Sequence, residues 1–185
     1  MSRTITYYIR NLPHWHPPET DLFITWRLFG SLPRQTPPPK ATSSPGAAFV
    51  HYDHILDVAR TGPLWLKDPR IAESILASLK NGHDRKLFNL RAYAVMANHI
   101  HVLLMPIAPL AKLTQLVKGA TARQANLILS RTGTRFWQDE SFDHWVRDPA
   151  EGQKIRSYIE RNPVAAGFVA RPEDWPWSSA SHPIE

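Results

Sequence analysis

The chain has 185 residues, enough for one domain with a substantial core, and 43% of them are hydrophobic, as in a globular protein. Twenty-two Lys and Arg against 16 Asp and Glu leave a formal charge of +6, which favours an anionic partner. The absence of cysteine excludes disulfides, thiolate metal sites and cysteine nucleophiles, and no apolar run approaches the roughly 18 residues of a membrane span. The start, MSRTITYYIRN, lacks the apolar core of a secretory signal, so a cytoplasmic location is expected.

Pro13, Pro17 and Pro18 punctuate the N-terminal segment, and Pro33, Pro37, Pro38, Pro39 and Pro45 fill a stretch with Ser and Thr. Proline lacks the donor N–H and clashes with the preceding turn, so residues 33–46 are expected as an extended loop inside one domain spanning 1–185. Leu22–Leu28, β-branched and aromatic, is a predicted strand. Pro69 opens a pattern with Ile71, Ile75, Leu76 and Leu79 at helical spacing, ended by Asn81-Gly82. Leu87–Val95 and His99–Met105 are predicted strands joined by the tight Met96-Ala97-Asn98. A helix follows, its stripe formed by Leu113, Leu116, Val117, Ala120, Gln124, Leu127 and Ile128 and stopped before Gly133. Phe142–Arg147 is a short predicted strand, Pro149–Asn162 a helix, and residues 168–185 a Trp/Pro-rich tail. Strand, helix, strand, strand, helix, strand is the ferredoxin-like split βαβ order. It predicts an α+β fold with helices on one face of an antiparallel sheet and the other face open to a ligand.

Two residue pairs carry possible chemistry. In Asn98-His99-Ile100-His101, strand alternation turns both imidazoles to one face and Ile100 to the core. Such a pair can share a divalent ion, although hydrogen-bonded structural histidines give the same pattern. Tyr158 and Asn162 are four apart on a helix and so share a face, beside the buried edge marked by Ile155 and Ile159. Pro163 is expected to end the helix at Asn162. A half-buried tyrosine beside a helix-terminal asparagine is also a common structural pair. Taken together the pairs say more. A cation on two neutral imidazoles and a neutral amide keeps its full charge and suits polarising a phosphate oxygen. A phenol, which ordinarily titrates near about 10, must lose its proton to attack; Lys154, four residues before Tyr158, is a candidate to assist. The product would be a phosphotyrosine that conserves the energy of a phosphodiester.

The run Ala92-Tyr-Ala-Val-Met-Ala-Asn-His-Ile-His-Val-Leu-Leu-Met-Pro106 resembles the His-hydrophobic-His strand of the IS200-like single-tyrosine transposases. Phe136-Trp-Gln-Asp-Glu-Ser-Phe-Asp-His-Trp-Val-Arg147, Tyr158-Ile-Glu-Arg-Asn-Pro-Val-Ala-Ala-Gly167 and Pro172-Glu-Asp-Trp-Pro-Trp-Ser-Ser-Ala180 resemble the REP-associated branch of that superfamily. So do Asn11-Leu-Pro-His-Trp-His16 and Phe29-Gly-Ser-Leu-Pro33. The resemblance implies that His99 and His101 bind Mg²⁺ or Mn²⁺, with Asn162 as third ligand. It implies further that Tyr158 attacks a single-stranded DNA phosphate, leaving a 5′-phosphotyrosine and a free 3′-OH. The implied substrates are REP-like palindromes that fold as hairpins, handled by a monomer or homodimer in the bacterial cytoplasm near the nucleoid. Ala97 departs from the family's Pro before Asn-His, which predicts a slightly looser turn.

Lys112, Lys118, Arg123, Arg131 and Arg135 fall in a stretch with no acidic residue. With Lys154 they are candidate contacts to DNA phosphates, binding that weakens as salt rises. His14, Trp15, His16, Arg27, Trp175 and Trp177 are candidates for base contacts, although the last two more simply pin the tail. Two other readings remain. One is a non-catalytic nucleic-acid binder on the same fold; its strand motif, however, is His-Ile-His rather than the paired aromatics of an RRM. The other is a water-activating metallohydrolase, which would need acidic ligands absent from these motifs.

Overall fold

A computed structural model describes residues 6–9, 13–16, 19–32, 36, 45–58, 62–139 and 141–184. Most of the Pro-rich stretch 33–46 therefore lies outside the described residues, as do Asn11 and Leu12. Its last two residues are not loop: Pro45 and Gly46 open a helix, α1 (Pro45–Asp57). Near the N-terminus β1 (Thr6–Ile9) and β2 (Pro13–His16) pair as an antiparallel hairpin of their own, Thr6 opposite His16.

The main sheet has four antiparallel strands, β3 (Leu22–Arg27), β4 (Phe88–Val95), β5 (His99–Pro106) and β6 (Phe142–Trp145), in the order β4-β5-β3-β6. Two helices complete the ferredoxin-like connection: α2 (Pro69–Asp84) between β3 and β4, and α3 (Leu110–Ile128) between β5 and β6. Alternation sorts the central strands cleanly. Leu22, Ile24 and Trp26 of β3 and Ile100, Val102 and Leu104 of β5 face Ile71, Ile75 and Leu79 of α2 and Leu113 and Val117 of α3. Each fully buried Ile or Leu there contributes about 1.5–3 kcal/mol.

The opposite face is not open, which corrects the expectation of a bare ligand-binding surface. Phe23, Leu103, Ala92 and Ala94 meet Ile155, Tyr158 and Ile159 of α4 (Pro149–Ala165), with Phe49 of α1 beside them. A bulge between Leu90 and Ala92 lets β4 do this, since the extra residue, Arg91, shifts its parity. Leu90 then faces α2 while the small Ala92 and Ala94 leave room for α4. The covered second face is what brings helix-borne side chains onto the histidines.

Two helix ends also differ from expectation. Asn81-Gly82 does not end α2, because Gly82 is buried beneath the Phe88 ring and the helix runs on to Asp84. A Cβ at Gly82 would stand 2.5 Å from Phe88 Cε1 and Cζ, and that ring is only 1% exposed, so it has nowhere to go. Gly82→Ala should therefore lower stability by about 1–3 kcal/mol despite alanine's better helix propensity, read as a fall in the urea midpoint. Pro163 does not end α4 either. The helix passes it and closes at Gly167 (φ 74°), where Phe168 N–H donates to Pro163 O and Gly167 N–H to Val164 O, a Schellman end. Asn162 is thus inside the helix and buried, with its orientation fixed.

The tail closes an edge. Val95 N–H donates to Trp177 O, Ala94 bridges Ser178, and Ser179 N–H donates to Tyr93 O, so the outer edge of β4 is not left unpaired. Trp175 donates from Nε1 to Val95 O at 3.0 Å and stacks on Phe168. No helix among the described residues is long and apolar enough to cross a membrane.

Candidate functional site

Met96-Ala97-Asn98 forms a closed turn: Met96 N–H donates to His99 O at 2.9 Å, and Leu66 N–H to Ala97 O at 3.2 Å. His99 and His101 follow, both 0% exposed, with their Nε2 atoms 3.0 Å apart. The Asn98 amide donates to Leu56 O of α1 (3.0 Å), so its Oδ1 is turned to His99 Nδ1 (2.7 Å). That acceptor holds the His99 proton on Nδ1 and bares Nε2. His101 Nδ1 lies 2.9 Å from Thr25 Oγ1, on the strand directly opposite. Both outer nitrogens are thus anchored and both inner ones face each other. Two ring nitrogens at that spacing share either a proton or a cation between them.

The sequence reading missed the third member. Asp53, on α1, places Oδ1 3.5 Å from His99 Nε2 and 3.4 Å from His101 Nε2. Together these three buried side chains form a group able to hold a metal ion. Asp53 Oδ2 faces the other way, accepting from the Tyr158 hydroxyl and from Asn162 Nδ2 (3.3 Å). Asp57, one turn on, brings Oδ1 to 3.7 Å from His99 Nε2. Acidic groups are therefore present at this site, which corrects the view that the motifs lack them. A cation here would not sit among neutral donors alone.

The donor set fits a divalent ion. Asp53 Oδ1, Asp57 Oδ1 and Asn162 Oδ1 are all buried without a hydrogen-bond partner, an arrangement that costs energy unless a cation satisfies it. Nitrogen and carboxylate donors together suit Mn²⁺, Mg²⁺ or Zn²⁺ class ions. Charge follows the geometry. Burial, and then the neighbouring His101, push the His99 imidazole below its ordinary value, so it is neutral at pH 7. Burial opposes ionisation of Asp53, but His101, His99 and the Tyr158 hydrogen bond outweigh it and hold the carboxyl below the usual range. Asp57, buried and next to the Asp53 charge, is pushed up to about 7. Burial, followed by the Asp53 charge and hydrogen bond, pushes the Tyr158 phenol well above its ordinary value.

Of the residues singled out from sequence, His99, His101, Tyr158 and Asn162 converge around Asp53. Lys154 is exposed on α4, and the Tyr158 hydroxyl is met by Asp53 instead. The basic residues of the α3 region lie on the other side of the sheet, since α3 packs on the face that Ile100 fills. Lys112 and Arg123 are exposed there. Lys118 donates to Gln138 O and Asp139 O, Arg135 pairs with Asp139 at 3.3 Å, and the Arg131 guanidinium lies 3.8 Å over Trp65. These three have structural duties as well as charge.

Comparison with known proteins gives the family and the fold. A family model described as "Transposase IS200 like" matches residues 49–162, from just inside α1 to the asparagine of α4. A solved REP-associated tyrosine transposase bound to a REP hairpin is similar over 97% of this chain and 82% of its own, at 20% identity and a TM-score of 0.57. A putative transposase from Deinococcus radiodurans aligns over 88% of this chain and 98% of its own, at 17% identity and a TM-score of 0.42. No curated protein matches the chain.

Proposed function

The chain belongs to the IS200-like transposase family, and on that premise we propose that it is a metal-dependent enzyme that nicks and rejoins single-stranded DNA, with Tyr158 as its nucleophile. One observation carries the proposal. The Tyr158 hydroxyl and the two histidine Nε2 atoms are joined through the two oxygens of a single carboxylate, Asp53. His99, His101 and Asp53 would hold the ion, with the buried, unpartnered Asn162 Oδ1 as a further donor. A divalent cation there would supply polarisation of a phosphate oxygen.

The side chains do the rest. The Tyr158 oxygen forms a bond to phosphorus, the bond from phosphorus to the 3′ oxygen breaks, and the strand leaves with a free 3′-OH. The phenol holds its proton tightly, so that proton must be removed as attack occurs. Asp53 Oδ2, already bonded to the hydroxyl, accepts that proton in passing and, being a weak base, hands it on to the departing 3′ oxygen, which leaves as the 3′-OH. Asn162 steadies the same carboxylate oxygen from the helix that carries the tyrosine. The phosphotyrosine conserves the cleaved bond's energy, so a second 3′-OH can reverse the step.

The structural likeness to a transposase bound to a REP hairpin supports a hairpin-forming, REP-like substrate and membership of the REP-associated branch. Lys112, Lys118, Arg123, Arg131, Arg135 and Lys154 would contribute phosphate contacts, those of the α3 region from the sheet face away from the histidines. A bacterial cytoplasmic setting follows from that substrate. The test is a denaturing gel after incubation with a single-stranded hairpin oligonucleotide and Mn²⁺. A protein–DNA species that survives SDS is expected; clean release of intact DNA would favour a non-catalytic binder.

A further inference from the structure

Arg27 ends β3 directly opposite His99, just as Thr25 stands opposite His101. Thr25 and Arg27 share a face by strand alternation, and the Thr25 hydroxyl already touches the His101 ring. Cβ atoms of opposed residues in an antiparallel pair lie about 5 Å apart, so the Arg27 side chain starts beside the buried histidine.

Among the described residues its charge is poorly compensated. Arg70, Arg91, Arg147, Arg156 and Arg171 are each substantially exposed, and each pairs with a carboxylate. Arg27 is half-buried, and among the described residues its guanidinium has no carboxylate partner. Its hydrogen bond there runs from Nη1 to Ser31 Oγ at 3.5 Å, the outer limit of such a bond. Burial lowers its proton affinity with no opposing contribution from an anion among the described residues. A partly desolvated cation left this way costs stability, a cost that an anion arriving from outside would offset. The planar guanidinium fork matches the two non-bridging oxygens of a phosphodiester.

We infer that Arg27 is a phosphate-binding residue of this site, gripping a backbone phosphate of the single strand at its His99 end. The inference rests on the DNA-processing reading above, and its test separates the two. Equilibrium binding of a fluorescent hairpin oligonucleotide with a single-stranded flank is measured in EDTA for the wild-type chain, Arg27→Gln and Arg27→Lys. The flank phosphates are replaced one at a time by neutral methylphosphonates. At one position the replacement should weaken wild-type binding about tenfold and leave Arg27→Gln indifferent, with Arg27→Lys intermediate. Arg27→Gln should also flatten the dependence of log K on log salt by about 0.7. Its thermal midpoint should equal or exceed that of the wild type, because a costly charge is gone. Equal methylphosphonate sensitivity at every position overturns the role of Arg27 while leaving the transposase reading intact. A lower thermal midpoint makes Arg27 structural and overturns it too. If the wild-type chain binds no single-stranded DNA, both fall.

Discussion

A Tyr158→Phe protein should yield no SDS-resistant DNA adduct and no cut strand, a loss of at least about 10³-fold, while its hairpin affinity moves by less than about twofold. The argument separates the ring from its oxygen. The ring packs edge-on against Phe23 and Phe49, both at 6.1 Å between centroids, and those contacts survive in phenylalanine. The lost hydroxyl removes one hydrogen bond to Asp53, whose Oδ2 keeps the Asn162 amide at 3.3 Å. Such a loss costs about 1 kcal/mol, too little to unfold the helix or disturb the sheet. The change is therefore confined to chemistry. Running the gel beside anisotropy titrations measures both halves, and an adduct that persists would move the nucleophile elsewhere.

Asp53→Asn should weaken Mn²⁺ binding by at least about tenfold in a calorimetric titration. The substitution is nearly isosteric, so α1 keeps its place, but the charge nearest both imidazoles disappears. An amide presents either a neutral oxygen or an N–H pair to the two Nε2 atoms, and the second would repel an ion outright. Mn²⁺ at a hundred times its dissociation constant should stabilise the wild-type fold by about 2.7 kcal/mol, a shift readable in the melting temperature. The variant should show little of it. Asn162→Ala provides the contrast: a comparable loss would make the amide oxygen an equal partner, and a small one would leave it to steady Asp53. Unchanged Mn²⁺ affinity in Asp53→Asn would remove the carboxylate from the donor set.

The sheet was legible from the sequence because its strands announce themselves: β-branched and aromatic runs on Leu22–Arg27 and His99–Pro106, with a short turn between β4 and the histidine-bearing β5. The His-x-His face follows from alternation, and the Tyr158–Asn162 face from helical spacing, without any structure. The helix α1 did not announce itself. It begins at a proline that closes a Pro-rich stretch, and its apolar residues make no clean stripe, Val50 being 55% exposed. A signal was nevertheless present, since Phe49, Asp53, Leu56 and Asp57 recur at helical spacing and all turn inward. Two carboxylates on the inner side of a helix are costly to bury, which is itself a mark of function. Pro163 misled for a related reason. Its crowding of the preceding residue predicts a stop at Asn162, whereas the Gly167 turn supplies the stop one turn later.

The total burial of both imidazoles has a kinetic corollary. Nothing as bulky as a nucleotide can touch atoms that are 0% exposed, and what overlies them is the inner side of α1, through Phe49, Asp53 and Asp57. If the chain acts on DNA as proposed, a phosphate would reach this group only through an excursion of that helix. Apparent affinity becomes the intrinsic one multiplied by the fraction of molecules caught in the excursion: each tenfold scarcity of the parted form weakens apparent binding tenfold.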